Sequence, residues 1–99
     1  MIEFLQMRYY AWDPEKNLKL KRERGITFDE VVLRIENGHV LDIVEHHNPK
    51  HKGQKIYVIR IDDYAYLVPF EEKEDEIELK TIIPSRKATK TYIGKGEER

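Results

Sequence analysis

At 99 residues the chain is long enough for one domain and too short for two. It has no cysteine, which excludes disulfides and thiolate metal sites. One Trp, six Tyr and three Phe are too many for a disordered chain, even with 37% charged residues and a net charge of −1.

No apolar run approaches the ~20 residues of a membrane-spanning helix. The stretch from Met1 to Met7 is short and broken by Glu3, unlike a secretory signal, so a cytoplasmic address is expected.

The near-neutral total conceals segregated charge. Residues 16–24 set Lys16, Lys19, Lys21, Arg22 and Arg24 against Glu23 alone. Residues 46–60 hold Lys50, Lys52, Lys55, Arg60 and the histidines His46, His47 and His51, without an acid. Residues 71–78 (EEKEDEIE) are almost wholly acidic, and Leu79 to Gly96 is again basic. Such blocks can give one basic face to a neutral fold, although solvated surface charge that averages out in space is the plainer outcome.

In chain order, QMRYYA at 6–11 reads as a short aromatic strand. Asp13-Pro14-Glu15 starts a helix: Asp13 accepts from an orphan N–H, Pro14 suits the first helical position, and Glu15 meets the positive dipole end. Gly25 stops it after Arg24. Its apolar stripe is poor, with only Leu18 and Leu20, so at most one of them faces a core. Thr27-Phe28-Asp29-Glu30 is a capping box for a second helix, whose Phe28, Val31, Val32 and Ile35 form one apolar face ending at Asn37-Gly38.

Four strands follow. VLDIVE spans 40–45. KIYVIRID at 55–62 and YAYLVPF at 64–70 form a hairpin across Asp62-Asp63, and the acidic run 71–75 is the next loop. EIELKTII at 76–83 alternates, with Ile77, Leu79 and Ile83 on one face and Glu78 and Lys80 on the other. Pro69 inside a strand implies an edge or a bulge. After Pro84, Ser85 caps a short helix to Tyr92, and 94–99 reads as a frayed tail. The expected fold is α+β, a single domain in the order β-α-α-β-β-β-β-α, an antiparallel sheet with helices mainly on one side.

No phosphate-cradling glycine loop, GxSxG or HExxH is present. The histidines near Asp42 and Glu45 invite a metal, but they lack the spacing of a ligand template and read as polar loop residues. Arg86, at a strand-to-helix junction, can present its planar fork to a phosphate, with Lys87 and Lys90 extending the patch. Tyr57, Tyr64, Tyr66 and Tyr92 could stack on bases, although strand tyrosines are more often packing residues.

Three stretches together resemble the BrnT family of ribonuclease toxins: Trp12-Asp13-Pro14-Glu15-Lys16-Asn17, Arg24-Gly25-Ile26-Thr27-Phe28-Asp29-Glu30, and Ile82-Ile83-Pro84-Ser85-Arg86-Lys87-Ala88-Thr89-Lys90. Order and spacing match from Tyr10 to Lys90. The resemblance implies a RelE-like fold, endonucleolytic cleavage of RNA without a cofactor, and neutralisation by a small antitoxin, usually a DNA-binding protein of the ribbon-helix-helix type. It allows an oligomer formed with that antitoxin. Arg86 carries over from the family's arginine. The chain departs from the family at Val68-Pro69-Phe70-Glu71-Glu72, where relatives end the strand on a basic residue, and at Thr81, where an arginine is common.

Cleavage of this kind needs the 2′-OH activated, the phosphate's charge stabilised and the leaving 5′-oxygen protonated. Arg86 is the expected phosphate ligand, supported by Lys80 and Arg60 if all three converge on one open sheet face. His46, His47 or His51 has the intrinsic pKa for proton transfer, and Tyr66 or Tyr92 is a weaker choice. Lys16, Lys19, Arg24, Lys55, Lys87, Lys90 and Tyr66 are the expected RNA contacts. A toxin-like fold that kept binding and lost catalysis is the alternative.

Overall fold

The computed structural model describes residues 9–46, 48–51 and 53–94. It is a small α+β domain of three helices on a mixed, open sheet. The elements are β1 (Tyr9–Ala11), α1 (Pro14–Arg24), α2 (Phe28–Glu36), β2 (Val40–Glu45), a 3-10 turn (Pro49–His51), β3 (Lys55–Ile61), β4 (Tyr64–Glu72), β5 (Glu76–Leu79), β6 (Ile83–Pro84) and α3 (Arg86–Tyr92).

Local chemistry explains the helix ends. Asp13 accepts from the Glu15 N–H at 2.9 Å, and Pro14 opens α1. Gly25 closes it with φ +70, a left-handed conformation that glycine adopts without steric cost. Thr27 accepts from the Glu30 N–H, and the Glu30 carboxylate takes Nη2 of Arg34 at 3.3 Å. Asn17 satisfies a further N–H at this helix start: its Oδ1 accepts from the Phe28 N–H at 2.7 Å and joins the middle of α1 to the start of α2. Trp12 stacks on Phe28, with ring centroids 5.7 Å apart.

The strands are ordered β1-β5-β4-β3-β2, with β6 also on β4. The β2–β3–β4 ladder is antiparallel and follows the expected strands closely. Asp62 turns the β3–β4 hairpin at φ +59. Two expectations need correction. The sheet is mixed, because β1 pairs in parallel with β5. Glu71 and Glu72 belong to β4 rather than to a loop. The two longer helices share one face, as expected of helices mainly on one side: α1 and α2 pack over Tyr57, Ile59, Ile61, Val68, Phe70, Ile77 and Leu79, while the short α3 packs over Val58 and Ala65 on the other.

The last strand is also broken. Phe70 faces Leu79, whereas Leu67 faces Ile83, so three residues on one strand oppose two on the other. This bulge sits beside Pro69, which has no N–H to donate and only accepts, from Lys80 N at 2.8 Å. The extra residue reverses the alternation. Ile82 is therefore fully buried, and Ile83, expected inside, is 41% exposed. Leu20 is the inward residue of α1 and Leu18 the outward one.

Candidate functional site

The C-terminal helix is bolted to the sheet by its first turn. Ser85 N donates to the Ala65 carbonyl at 3.0 Å, and Ser85 Oγ accepts from Ala88 N. Thr89 Oγ1 donates to the Ser85 carbonyl at 2.7 Å and accepts from the Ala65 N–H at 2.8 Å. Ala88 is the buried residue of α3, and a larger side chain there would hold the helix off the sheet. At the far end Tyr92 donates its hydroxyl to Asp42 Oδ2 at 2.5 Å, which holds the Tyr92 pKa above its ordinary value.

These anchors leave Arg86, Lys87 and Lys90 exposed, and among the described residues no ion pair engages them. They are the only charged residues of α3. Between the helix and the sheet lies a groove of about 480 Å³ lined by Val44, Glu45, Val58, Leu67, Ser85, Lys87, Ala88, Thr91 and Tyr92. Its floor is apolar and its helical rim is basic.

The other expected catalytic residues lie in different surroundings. Arg60 is paired in register with Ala65, across β4 from Ser85. Its guanidinium is spent on the hairpin turn, with Nε on the Asp62 carbonyl and Nη2 on the Asp63 carboxylate, each at 3.0 Å. Lys80 sits at the Pro69 level of β4, about 13 Å along the strand from Ala65. It lies among carboxylates, 3.7 Å from Glu71 and 3.5 Å from Glu78. Arg60, Lys80 and Arg86 therefore do not form one cluster.

His46 follows Glu45 at the rim of β2, and its Nδ1 accepts from Asn48 N at 3.2 Å. The neutral ring then carries its proton on Nε2. His47 lies outside the described residues, and His51 ends the 3-10 turn. Among the described residues no three His, Cys, Asp or Glu side chains gather as a metal-ligating group.

The expected RNA contacts separate as well. Lys16, Lys19 and Arg24 line a second groove, of about 240 Å³, with Leu20, Glu23 and Thr81; Lys16 and Lys80 share the next depression along α1. Arg24 is partly committed to structure, since its Nη1 donates to the Ile82 carbonyl at 2.8 Å and clamps α1 to the bulge. Lys55 pairs with Glu72 at 3.4 Å. Tyr66 packs against the core under α1 and α2, edge-on to Tyr64, on the face opposite α3. Only Lys87 and Lys90 accompany Arg86.

Sequence reasoning missed Thr89, the bolt of α3, and the groove floor of Val44, Val58 and Leu67. The floor did leave a signal. KIYVIRI is apolar at both parities, as a strand covered on both faces must be. Comparison with protein-family models, with curated proteins and with solved structures finds no match to this chain.

Proposed function

We propose that the chain is the toxin of a type II toxin–antitoxin pair, a metal-independent endoribonuclease of the BrnT-like class with a RelE-like fold. The observation that carries this reading is the unneutralised cationic set of Arg86, Lys87 and Lys90 beside an open groove in the sheet. Surface cations left without acidic partners are available to a polyanion, and RNA is the polyanion named by the sequence resemblance.

In the proposed reaction the 2′-OH attacks the adjacent phosphorus and the bond to the 5′-oxygen breaks. A 2′,3′-cyclic phosphate and a 5′-hydroxyl remain. Arg86 and Lys87 stabilise the charge that builds on the phosphate oxygens, which is the largest contribution a site of this composition can make. His46 moves the proton between the two oxygens. Lys90 holds the RNA backbone outside the reacting centre. A small ribbon-helix-helix antitoxin neutralises the protein by covering this basic surface.

The test is cleavage of single-stranded RNA by protein purified free of antitoxin, together with growth arrest on expression. Arg86→Ala is expected to lower cleavage by about 10²–10³-fold. A wild type that cuts no RNA and is harmless sinks the enzyme reading, and an unimpaired Arg86→Ala sinks the assignment of the site.

A second reading, a non-catalytic RNA- or protein-binding module, is favoured by the carboxylates that occupy Arg60 and Lys80. It predicts RNA affinity that falls steeply with salt, with no cleavage.

A further inference from the structure

Single-stranded RNA presents two unlike parts, a phosphate that pairs with cations and a flat base that stacks on or buries against apolar surface. The α3 side of the sheet offers a complement to each, side by side. The groove floor is Val44, Val58 and Leu67, one residue from each of three neighbouring strands, and Ala88 closes it from the helix. Lys87 and Thr91, one helical turn apart, stand along its rim, and Arg86 is exposed next to them. Its volume of about 480 Å³ falls within the ~300–1,000 Å³ of sites that enclose small organic ligands.

Charge selects the occupant. An apolar groove could also take a peptide, but α3 carries three cations and no acid. Two carboxylates of β2 border this side: Asp42 is already occupied by the Tyr92 hydroxyl and the Ile43 N–H, and Glu45, the one acid in the groove lining, is exposed and outnumbered by the three cations of α3. A polyanion with a flat apolar part satisfies both halves of this surface.

We infer that the groove holds one unpaired nucleobase of the RNA, with the adjoining phosphate on Lys87 and Arg86. The inference rests on the RNA reading above and adds to it the residues that grip the substrate. Of the three hydroxyls lining the groove, those of Ser85 and Tyr92 are in use and that of Thr91 is open to a ligand. A floor of three aliphatic side chains reads shape and not a hydrogen-bonding edge, so the subsite accepts more than one base.

The test uses a fluorescent single-stranded RNA pentamer bearing 2′-O-methyl groups, which removes the nucleophile, and a set of pentamers with an abasic ribose at each position in turn. Binding is followed by anisotropy and by methyl NMR shifts. One abasic position is expected to weaken binding about tenfold or more, with shifts centred on Val44, Val58 and Leu67. Leu67→Trp, which fills the groove, is expected to weaken the intact pentamer and leave that abasic one unchanged. Thr91→Trp, at the exposed rim, serves as the second blocking variant if the first does not fold. Equal affinity for all pentamers, or methyl shifts confined to Leu18 and Leu20 on α1, overturns the subsite. Base-dependent binding without cleavage of natural RNA upholds the subsite and overturns only the nuclease. Cleavage without base dependence does the reverse.

Discussion

The two faces of the sheet are built to different ends. Under α1 and α2 the face is sealed by Phe28, Val31, Ile59, Val68, Leu79 and Ile82, each no more than 1% exposed. Under α3 the buried set is Val58, Ala65 and Ala88, with Leu41, Leu67 and Ile93 half-covered around it. The first face uses large side chains interlocking across long sequence separations. The second uses two alanines, which bring a short helix close but bury little surface. Stability is therefore concentrated on one side, which leaves the other free to keep an open groove and unpaired cations.

The difference can be broken from either side. Phe28→Ala, under α1 and α2, is expected to cost about 3–5 kcal/mol. That corresponds to a melting temperature lower by about 12 °C or more in a domain of this size, read by circular dichroism. Arg86→Ala should do the opposite: RNA cleavage falls about 10²–10³-fold, while stability stays within the roughly ±0.5 kcal/mol typical of surface substitutions. If Arg86→Ala melts as early as Phe28→Ala, the division between the faces is wrong.

Thr89→Val lies between these extremes. It strands the N–H of Ala65, a fully buried residue, and should cost about 1–3 kcal/mol. Hydrogen exchange should show Ala65 losing protection while Phe28 keeps it.

The smallest effect concerns the edge near β5. Glu78 is held below its ordinary 4.5 mainly by the hydrogen bond from Lys73, at 2.8 Å, and further by the charge of Lys80. A carboxylate with a lowered folded value contributes stability above its unfolded pKa and loses it as pH falls through the folded one. The gap in melting temperature between the wild type and Glu78→Gln should therefore be present at neutral pH and close in acid. A gap that widened on acidification would contradict the pairing.

The stretches of resemblance divide in the same way. In the first two, Trp12, Asp13, Asn17, Gly25, Thr27 and Phe28 all have structural work, as a ring stack, a cap, a helix-to-helix bond, a left-handed stop, a second cap and a core centre. They specify an architecture and carry no chemistry. In the third, Ile82 and Ala88 are packed, Ser85 and Thr89 fasten the helix, and Arg86, Lys87 and Lys90 are left to solvent. Any chemistry in the resemblance rests on those three side chains.

What the amino-acid sequence determined by itself was local: both long helices with their caps, the β3–β4 hairpin, Ser85 as the cap of α3, and the basic character of that helix. Each depends on groups within a few residues of one another, so propensity and hydrogen bonding decide it before the chain collapses. Tertiary structure alone decided the parallel pairing of β1 with β5, the bulge that buries Ile82 instead of Ile83, and the seating of α3 on the second face. It also decided which cations were neutralised. Lys80 meets Glu71 only because β5 returns along β4, and Arg60 meets Asp63 only because the hairpin turn curls back over it. Charge in a sequence is a list, and its sign at a surface depends on neighbours that only folding supplies.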